Sequence, residues 1–157
     1  PKLEKLLTKY GYDAVFYPHF EVQRFLSAFH TENPHVKIGA LGQMDVQTLL
    51  MASALLITDF SSIQFDFAYM LKPEIYYQFD EARYWGTHHD RGYFDYRVDG
   101  FGAVVTTQEA LLTAIETALA SECAVTLEMQ KHIRDTFGAL DDHNCERNHQ
   151  AIRELMS

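Results

Sequence analysis

The chain has 157 residues, enough for one domain with a substantial core, and its 47% hydrophobic and 22% charged residues are typical of a globular domain. Its net charge of −9 argues against general nucleic-acid binding and against a broad basic surface for anionic lipid. No apolar run approaches the length of a membrane span, and the isolated Cys123 and Cys145 have neither metal nor disulfide spacing, which favours a reducing cytoplasm.

Helical and extended hydrophobic patterns alternate along the chain. The helical patterns cover residues 1–10, 21–29, 46–51, a segment that begins near residue 61, 109–120, about 126–137 and about 145–156. Short apolar runs predict strands at residues 14–17, 36–40, 55–57, 75–79 and 103–105. This alternation predicts an α/β fold, a Rossmann-like parallel sheet with helices on both faces.

Four loops follow predicted strands. They contain His19, the glycines Gly39 and Gly42, the turn at residues 58–62, and a long polar and aromatic segment at residues 80–102. The two glycines keep their loop slim, so that backbone could approach a flat ligand. Because the carboxyl ends of parallel strands lie at one edge of a sheet, where ligands usually bind, we expect these loops to form a single pocket.

The turn at residues 58–62 is the strongest indication of a functional site in the sequence. Thr58, Asp59, Ser61 and Ser62 are all residue types that accept hydrogen bonds from the first free N–H groups of a helix. Such a helix N-terminus can bind an anion, and Asp66 lies one helical turn beyond Ser62 on the same face. Spacing alone still favours the simpler interpretation, a well-capped helix that follows a buried strand.

Four segments resemble the motifs of one family, in the same order along the chain. They are T-D-F-S-S with F-D-F-A at residues 58–68, D-R-G-Y-F-D at 90–95, Y-P-H at 17–19, and the closing segment from Asp141 to Cys145-Glu146-Arg147. The chain thereby resembles the CDP-glycerol glycerophosphotransferases, the teichoic-acid polymerases and primases and their capsule-polymer relatives. It departs from them in having Pro-His where the family has His-Pro, and Cys145 in place of a usual Ser.

The resemblance implies a GT-B glycosyltransferase-like protein with two Rossmann-like halves. Residues 1–157 would form a single nucleotide-donor-binding domain, most of the C-terminal half, cut from a larger protein. The family transfers a polyol phosphate from a CDP-activated donor to a hydroxyl acceptor, a polymer or a lipid-linked molecule. The presumed general base lies in the N-terminal half, which is missing here. Lipid-linked acceptors further imply peripheral contact with the inner face of the cell membrane, although nothing basic or amphipathic in this chain points to it.

The resemblance also suggests roles for particular residues. A protonated His19 could neutralise charge on the phosphate that leaves with CMP, and Arg91 could contact phosphate bidentately. Gly39, Gly42 and Thr58 complete the expected binding loops. The helix N-terminus at Ser61 and Ser62 could hold the diphosphate, while Asp59 and Asp66 suit polyol hydroxyls or, for Asp59, helix capping.

We expect neither a metal nor another cofactor. The adjacent His88 and His89 would rarely point at one centre, and Asp59 and Asp66 are separated by about 10 Å along a helix axis. Two other functions remain open from the sequence: half of a GT-B sugar transferase or nucleotide-sugar epimerase that uses a UDP-sugar, and a non-enzymatic assembly module.

Overall fold

The computed structural model describes residues 2–87 and 92–156. Helices and strands alternate through residue 120, and two further helices follow. In chain order the secondary structure consists of α1 (Lys2–Tyr10), β1 (Ala14–Phe16), a 3-10 helix (Gln23–Ala28), β2 (Val36–Ile38), α2 (Val46–Ala52), β3 (Leu56–Thr58), α3 (Ile63–Tyr69), β4 (Glu74–Tyr77), α4 (Glu81–Thr87), β5 (Gly102–Val105), α5 (Gln108–Ala120), α6 (Leu127–Phe137) and α7 (Asn144–Leu155).

Every strand pairing is parallel, as the alternation of helices and strands predicts. β1 pairs with β2, and β3, β4 and β5 form a second ladder in that order. The expected sheet is therefore divided into two ladders among the described strands. Thr58, Tyr76 and Val104 lie side by side across the larger ladder, so the segments that follow β3 and β4 leave the sheet at one edge.

Successive side chains of β4 point to opposite faces of the larger ladder, and helices pack against both faces. Ile75 packs against Ile115 and Leu119 of α5, and α1 adds Leu3 and Leu6 to this cluster. On the other side lies a cluster that contains Ala68 of α3, Phe101 and Ile133 of α6, and the Tyr76 hydroxyl accepts a hydrogen bond from the Phe101 N–H. The predicted fold class is therefore confirmed.

Two local predictions were wrong in detail. The segment at residues 80–102, predicted to be a loop, contains α4, whose Tyr84 ring stacks on Phe60 with ring centroids 3.9 Å apart. The helix predicted at residues 21–29 is a kinked 3-10 helix with non-helical geometry at Phe25. Residues 20–22 form turns in which the N–H groups of Val22 and Gln23 donate to the His19 carbonyl, and the 3-10 helix begins only at Gln23.

Lys72 links the connection between α3 and β4 to the connection between α2 and β3. Its ammonium donates to the carbonyl oxygens of Leu50, Met51 and Ser53 at distances of 2.9, 2.6 and 2.8 Å. These carbonyls close α2, where a cation interacts favourably with the helix dipole. The contact fixes the start of β3 relative to the start of β4.

Within residues 2–87 and 92–156, every helix is too short or too polar to cross a lipid bilayer.

Glu74, the first residue of β4, is an unusual core residue. Its side chain is only 4% exposed, and neither carboxylate oxygen accepts a well-formed hydrogen bond from any described residue. Burial raises the pKa of Glu74 to about 8, against smaller opposing effects of the Tyr76 hydroxyl and the Ala68 N–H. Burial therefore favours the neutral, protonated form of this carboxyl group.

We expect the free energy of unfolding to depend on the ionisation of Glu74. Between the unfolded value of 4.5 and the folded value of about 8, only the folded state keeps the proton, so stability falls as pH rises through this range. The slope from this group is at most about 1.4 kcal/mol per pH unit. The free energy of unfolding of Glu74→Gln, measured by urea denaturation, should lack this dependence on pH. The variant should therefore become more stable relative to the parent as pH rises.

Glu32→Gln, at an exposed position before β2, is the matched control and should keep the pH dependence of the parent. If the stability curves of Glu74→Gln and the parent run parallel from pH 5 to pH 8, the carboxyl group is not buried in its neutral form.

Candidate functional site

The N-terminus of α3 lies at the carboxyl edge of the larger ladder. Ser61 Oγ is 3.4 Å from the Ile63 N–H, a long and weak contact, and the Ser62 side chain makes no capping hydrogen bond. The N–H groups of Ser61 and Ser62 donate to no other described residue. Ser62 is exposed and Ser61 half-buried. Hydrogen-bond donors and two hydroxyls are thus available to a ligand here.

The remaining polar residues of this turn do not cap α3. The Asp59 side chain is exposed, and its carbonyl oxygen lies 3.5 Å from the Nε2 of Gln78, just beyond the end of β4. Burial raises the pKa of the Tyr84 hydroxyl, and the negative charge of Asp59 adds to the rise. The Asp59 carboxylate therefore belongs to the side of the turn that faces α4. Asp66 is exposed one turn further along α3.

An aromatic cluster joins this turn to α4 and to the segment before β5. Phe60 stacks on Tyr84 and makes edge contacts with Trp85 and Tyr96, with ring centroids 5.5 and 5.8 Å away. Two glutamines next to this cluster are buried: Gln64 is 2% exposed and Gln78 is 1% exposed. Sequence reasoning missed both glutamines, because a polar residue in the first turn of a helix or after a strand is ordinarily exposed.

The loops after β1 and β2 form a second group. The Gln23 side chain links them, since its Nε2 donates to the Pro18 carbonyl and its Oε1 accepts from the Leu41 N–H. His19 is exposed beside Phe20, and its Nδ1 lies 3.4 Å from the Glu21 N–H. The loop that contains His19 and the loop of Gly39 and Gly42 are therefore neighbours.

Gly39 is required by the packing between these loops. A Cβ atom at this position would lie 2.5 Å from Cδ2 of Tyr17, and the Tyr17 hydroxyl is buried without a hydrogen-bond partner in the described chain. Gly42 has a φ of +81°, a conformation that side chains other than glycine rarely adopt. The first glycine thus serves close packing, and the second serves the turn.

We expect Gly39→Ala to destabilise the protein by roughly 1–3 kcal/mol, because the new methyl group forces the Tyr17 ring out of its site. Gly86→Ala in α4 is the control, since a Cβ there meets nothing within 4 Å. It should instead stabilise by up to about 1 kcal/mol through helix propensity. Urea denaturation of both variants measures the difference, and equal effects of the two would contradict this account of Gly39.

The predicted site residues therefore fall into two groups. The turn at residues 58–62 contacts α4 and Tyr96, whereas the loop that contains His19 is linked through Gln23 to the loop of Gly39 and Gly42. Among the described residues, no hydrogen bond or ring contact joins one group to the other, so a single pocket stays a prediction. Arg91, with His88 and His89, lies outside the described residues.

The closing motif, which begins at Asp141, holds two helices together. Arg147 donates bidentately to the Asp141 carboxylate at 3.1 and 2.8 Å, which lowers the pKa of Asp141 to about 2. Tyr69, the last residue of α3, donates to the Asp141 carbonyl and accepts from the Asn144 amide. These contacts attach the start of α7 to the end of α3, remote from the turn at residues 58–62.

Comparison with known proteins places the chain in a family. The family model of CDP-Glycerol:Poly(glycerophosphate) glycerophosphotransferase matches residues 2–152. The chain is 30% identical over 154 residues to the minor teichoic acid biosynthesis protein GgaB of Bacillus subtilis (strain 168), covering 98% of this chain and 16% of that protein. It is 36% identical over 72 residues to a teichoic acid glycerol-phosphate transferase of Staphylococcus aureus (strain NCTC 8325 / PS 47), covering 46% of this chain and 18% of that protein.

Among solved structures, the wall teichoic acid polymerase TagF matches 99% of this chain and 38% of its own, with a TM-score of 0.69 at 20% identity. This likeness supports the fold, a parallel α/β arrangement of the GT-B type. The chain belongs to the CDP-glycerol:poly(glycerophosphate) glycerophosphotransferase family, as its motifs indicated. It spans well under half the length of the relatives it matches.

Proposed function

We propose that the protein containing this chain transfers a polyol phosphate, such as glycerol phosphate, from a CDP-activated donor to a hydroxyl acceptor in teichoic-acid or capsule synthesis. In this proposal residues 1–157 form a single domain that holds the donor. The remainder of the protein supplies the general base and the rest of the acceptor site. The chain alone binds the donor weakly and does not catalyse transfer.

The observation that carries the proposal is the free N-terminus of α3. The N–H groups of Ser61 and Ser62 and both hydroxyls are available at the carboxyl edge of a parallel ladder. Backbone N–H groups and the positive end of a helix dipole stabilise phosphate without a cationic side chain. This suits an acidic chain with a net charge of −9.

In this proposal His19 meets the departing nucleotide. It follows β1, is exposed, and is held by a loop that Gln23 anchors to the neighbouring glycine loop. A protonated imidazole here would stabilise the charge that develops on the CMP phosphate. Gly42 leaves the neighbouring loop open for the nucleotide, and Arg91 is proposed as a further phosphate ligand.

We expect CDP binding to persist in excess EDTA, because N–H groups and hydroxyls, rather than a cation held by Asp59 and Asp66, contact the diphosphate. Ser62→Asp should weaken CDP binding by roughly 10- to 100-fold, because the new carboxylate repels the diphosphate. The charge-assisted hydrogen bond that is lost contributes about 1.5–3 kcal/mol. Calorimetric titrations with CDP, UDP and GDP measure both effects.

Ala54→Asp is the control, because it adds the same carboxylate at an exposed position that precedes β3, at the opposite end of the strand. It should bind CDP like the parent chain. A preference for UDP would instead favour a UDP-sugar enzyme, and the absence of any nucleotide binding would favour an assembly module. Strict dependence on Mg²⁺ or Mn²⁺ would overturn the proposed phosphate contacts.

In the full-length protein, His19→Gln should lower kcat for polyol-phosphate transfer about 100-fold, within the range that one proton-donating or charge-stabilising side chain contributes. CDP affinity should change much less, because the interaction strengthens only as the leaving phosphate gains charge. His30→Gln, at another exposed histidine, is the control. A His19→Gln enzyme with unchanged kcat would remove His19 from the mechanism.

A further inference from the structure

The loops that follow β1 and β2 lie close together, and side chains decide how they are placed relative to each other. The smaller ladder ends where the Gly39 N–H donates to the Phe16 carbonyl at 2.9 Å. Beyond this bond, no backbone hydrogen bond joins residues 17–22 to residues 40–44 of the described chain. Backbone bonds hold parallel strands together only as far as their ladder extends. A fixed spacing between these loops therefore comes from side chains.

The side chain of Gln23 joins the two loops with both ends of its carboxamide. Its Nε2 donates to the Pro18 carbonyl at 2.9 Å, and its Oε1 accepts from the Leu41 N–H at 3.1 Å. Both distances are ordinary for N–H···O hydrogen bonds. A planar carboxamide offers a donor and an acceptor in one rigid group, so a shift of either loop acts on the other.

The two peptide groups on either side of His19 are both held by Gln23. The Pro18 carbonyl belongs to the peptide group before His19 and accepts from the Gln23 side chain. The His19 carbonyl belongs to the peptide group after it and accepts from the N–H groups of Val22 and Gln23 at 2.8 and 3.2 Å. Because peptide groups are planar, fixing both of them fixes φ and ψ of His19 and thus the direction of its side chain.

The His19 imidazole has few contacts of its own. Its ring lies beside Phe20, with ring centroids 4.3 Å apart, and its Nδ1 is 3.4 Å from the Glu21 N–H, a long and weak contact. Both neighbours belong to the same short turn, and within the described chain no hydrogen bond reaches the His19 Nε2. The position of Nε2 therefore depends on the backbone of the turn, and through that backbone on Gln23.

We propose that Gln23 is a positioning residue, which couples the loop of Gly39 and Gly42 to the imidazole of His19. The inference rests on the proposed function, in which that loop lies against the nucleotide and His19 meets the leaving phosphate. Occupation of the glycine loop by the nucleotide then aligns His19 with the phosphate, because one carboxamide holds both loops.

The first test removes both hydrogen bonds at nearly constant side-chain size. In the full-length protein, Gln23→Met should lower kcat for polyol-phosphate transfer about 10-fold, because a displacement of about 1 Å in a reacting group costs up to about 100-fold. CDP affinity should fall less than kcat, since the proposed diphosphate contacts at α3 remain. Gln130→Met is the matched control, because Gln130 is also half-buried and its Nε2 donates to the Val125 carbonyl at 3.1 Å. Equal kcat values in the two variants would overturn the proposal.

A double-mutant cycle distinguishes positioning from a general effect on the fold. If Gln23 acts through His19, adding Gln23→Met to a His19→Gln enzyme should lower kcat by less than about 2-fold. A purely structural loss would instead lower kcat by the same factor in both backgrounds, which would contradict the coupling.

Gln23→Glu is the conservative variant. It keeps an acceptor for the Leu41 N–H but turns an oxygen, rather than a donor, towards the Pro18 carbonyl. Its kcat should fall to a similar extent as that of Gln23→Met. A kcat like that of the parent would show that the hydrogen bond to Pro18 does not position His19.

Hydrogen exchange measures the coupling without an assay of transfer. In the full-length protein, Gln23→Met should accelerate amide exchange about 5-fold in both residues 19–23 and residues 39–44, because each loop loses its hydrogen bond to Gln23. Gln130→Met should leave both segments as they are in the parent. Faster exchange in only one segment, or in neither, would refute the coupling. If the parent transfers no polyol phosphate but both segments respond, the proposed function fails and the coupling of the loops stands.

Discussion

The fold depends on β4, the middle strand of the larger ladder. It is hydrogen-bonded to β3 on one edge and β5 on the other, and its first three residues are buried. Ile75 faces the helices α5 and α1, while Tyr76 faces the cluster formed with α3 and α6. Because both faces are covered, β4 fixes the direction in which β3 and β5 end. The position of the turn before α3 therefore depends on this strand.

The carboxyl edge of the larger ladder combines two kinds of polar environment. On one side of the Asp59 turn, Ser61 and Ser62 offer hydrogen-bond donors near the positive end of α3, a setting for anions. On the side that faces α4, the Arg97 guanidinium donates to both carboxylate oxygens of Glu81, the first residue of that helix. Phe60 stacks on Tyr84 of α4 and so attaches the turn to this helix.

Polar residues within the core have a cost that the surrounding packing must offset. Gln64 is 2% exposed, and its Oε1 has no hydrogen-bond partner in the described chain. An unsatisfied buried group of this kind costs about 1–3 kcal/mol. The Gln64 side chain also lies beside the Tyr96 hydroxyl, whose pKa it lowers against the larger rise caused by burial. Gln64 therefore connects the first turn of α3 with Tyr96.

The sequence by itself determined the parallel α/β class and the family, because local patterns and motifs carry both. Asp45, Thr107 and Thr126 each accept a hydrogen bond from an N–H group in the first turn of their helix. Cap-type residues also precede α3, yet only Ser61 approaches such a bond there, at 3.4 Å. Only the tertiary structure decided the division into two ladders, the formation of α4, and the burial of Gln64, Gln78 and Glu74. Each of these depends on contacts between residues far apart in the chain, such as Phe60 with Tyr84, which no local pattern records.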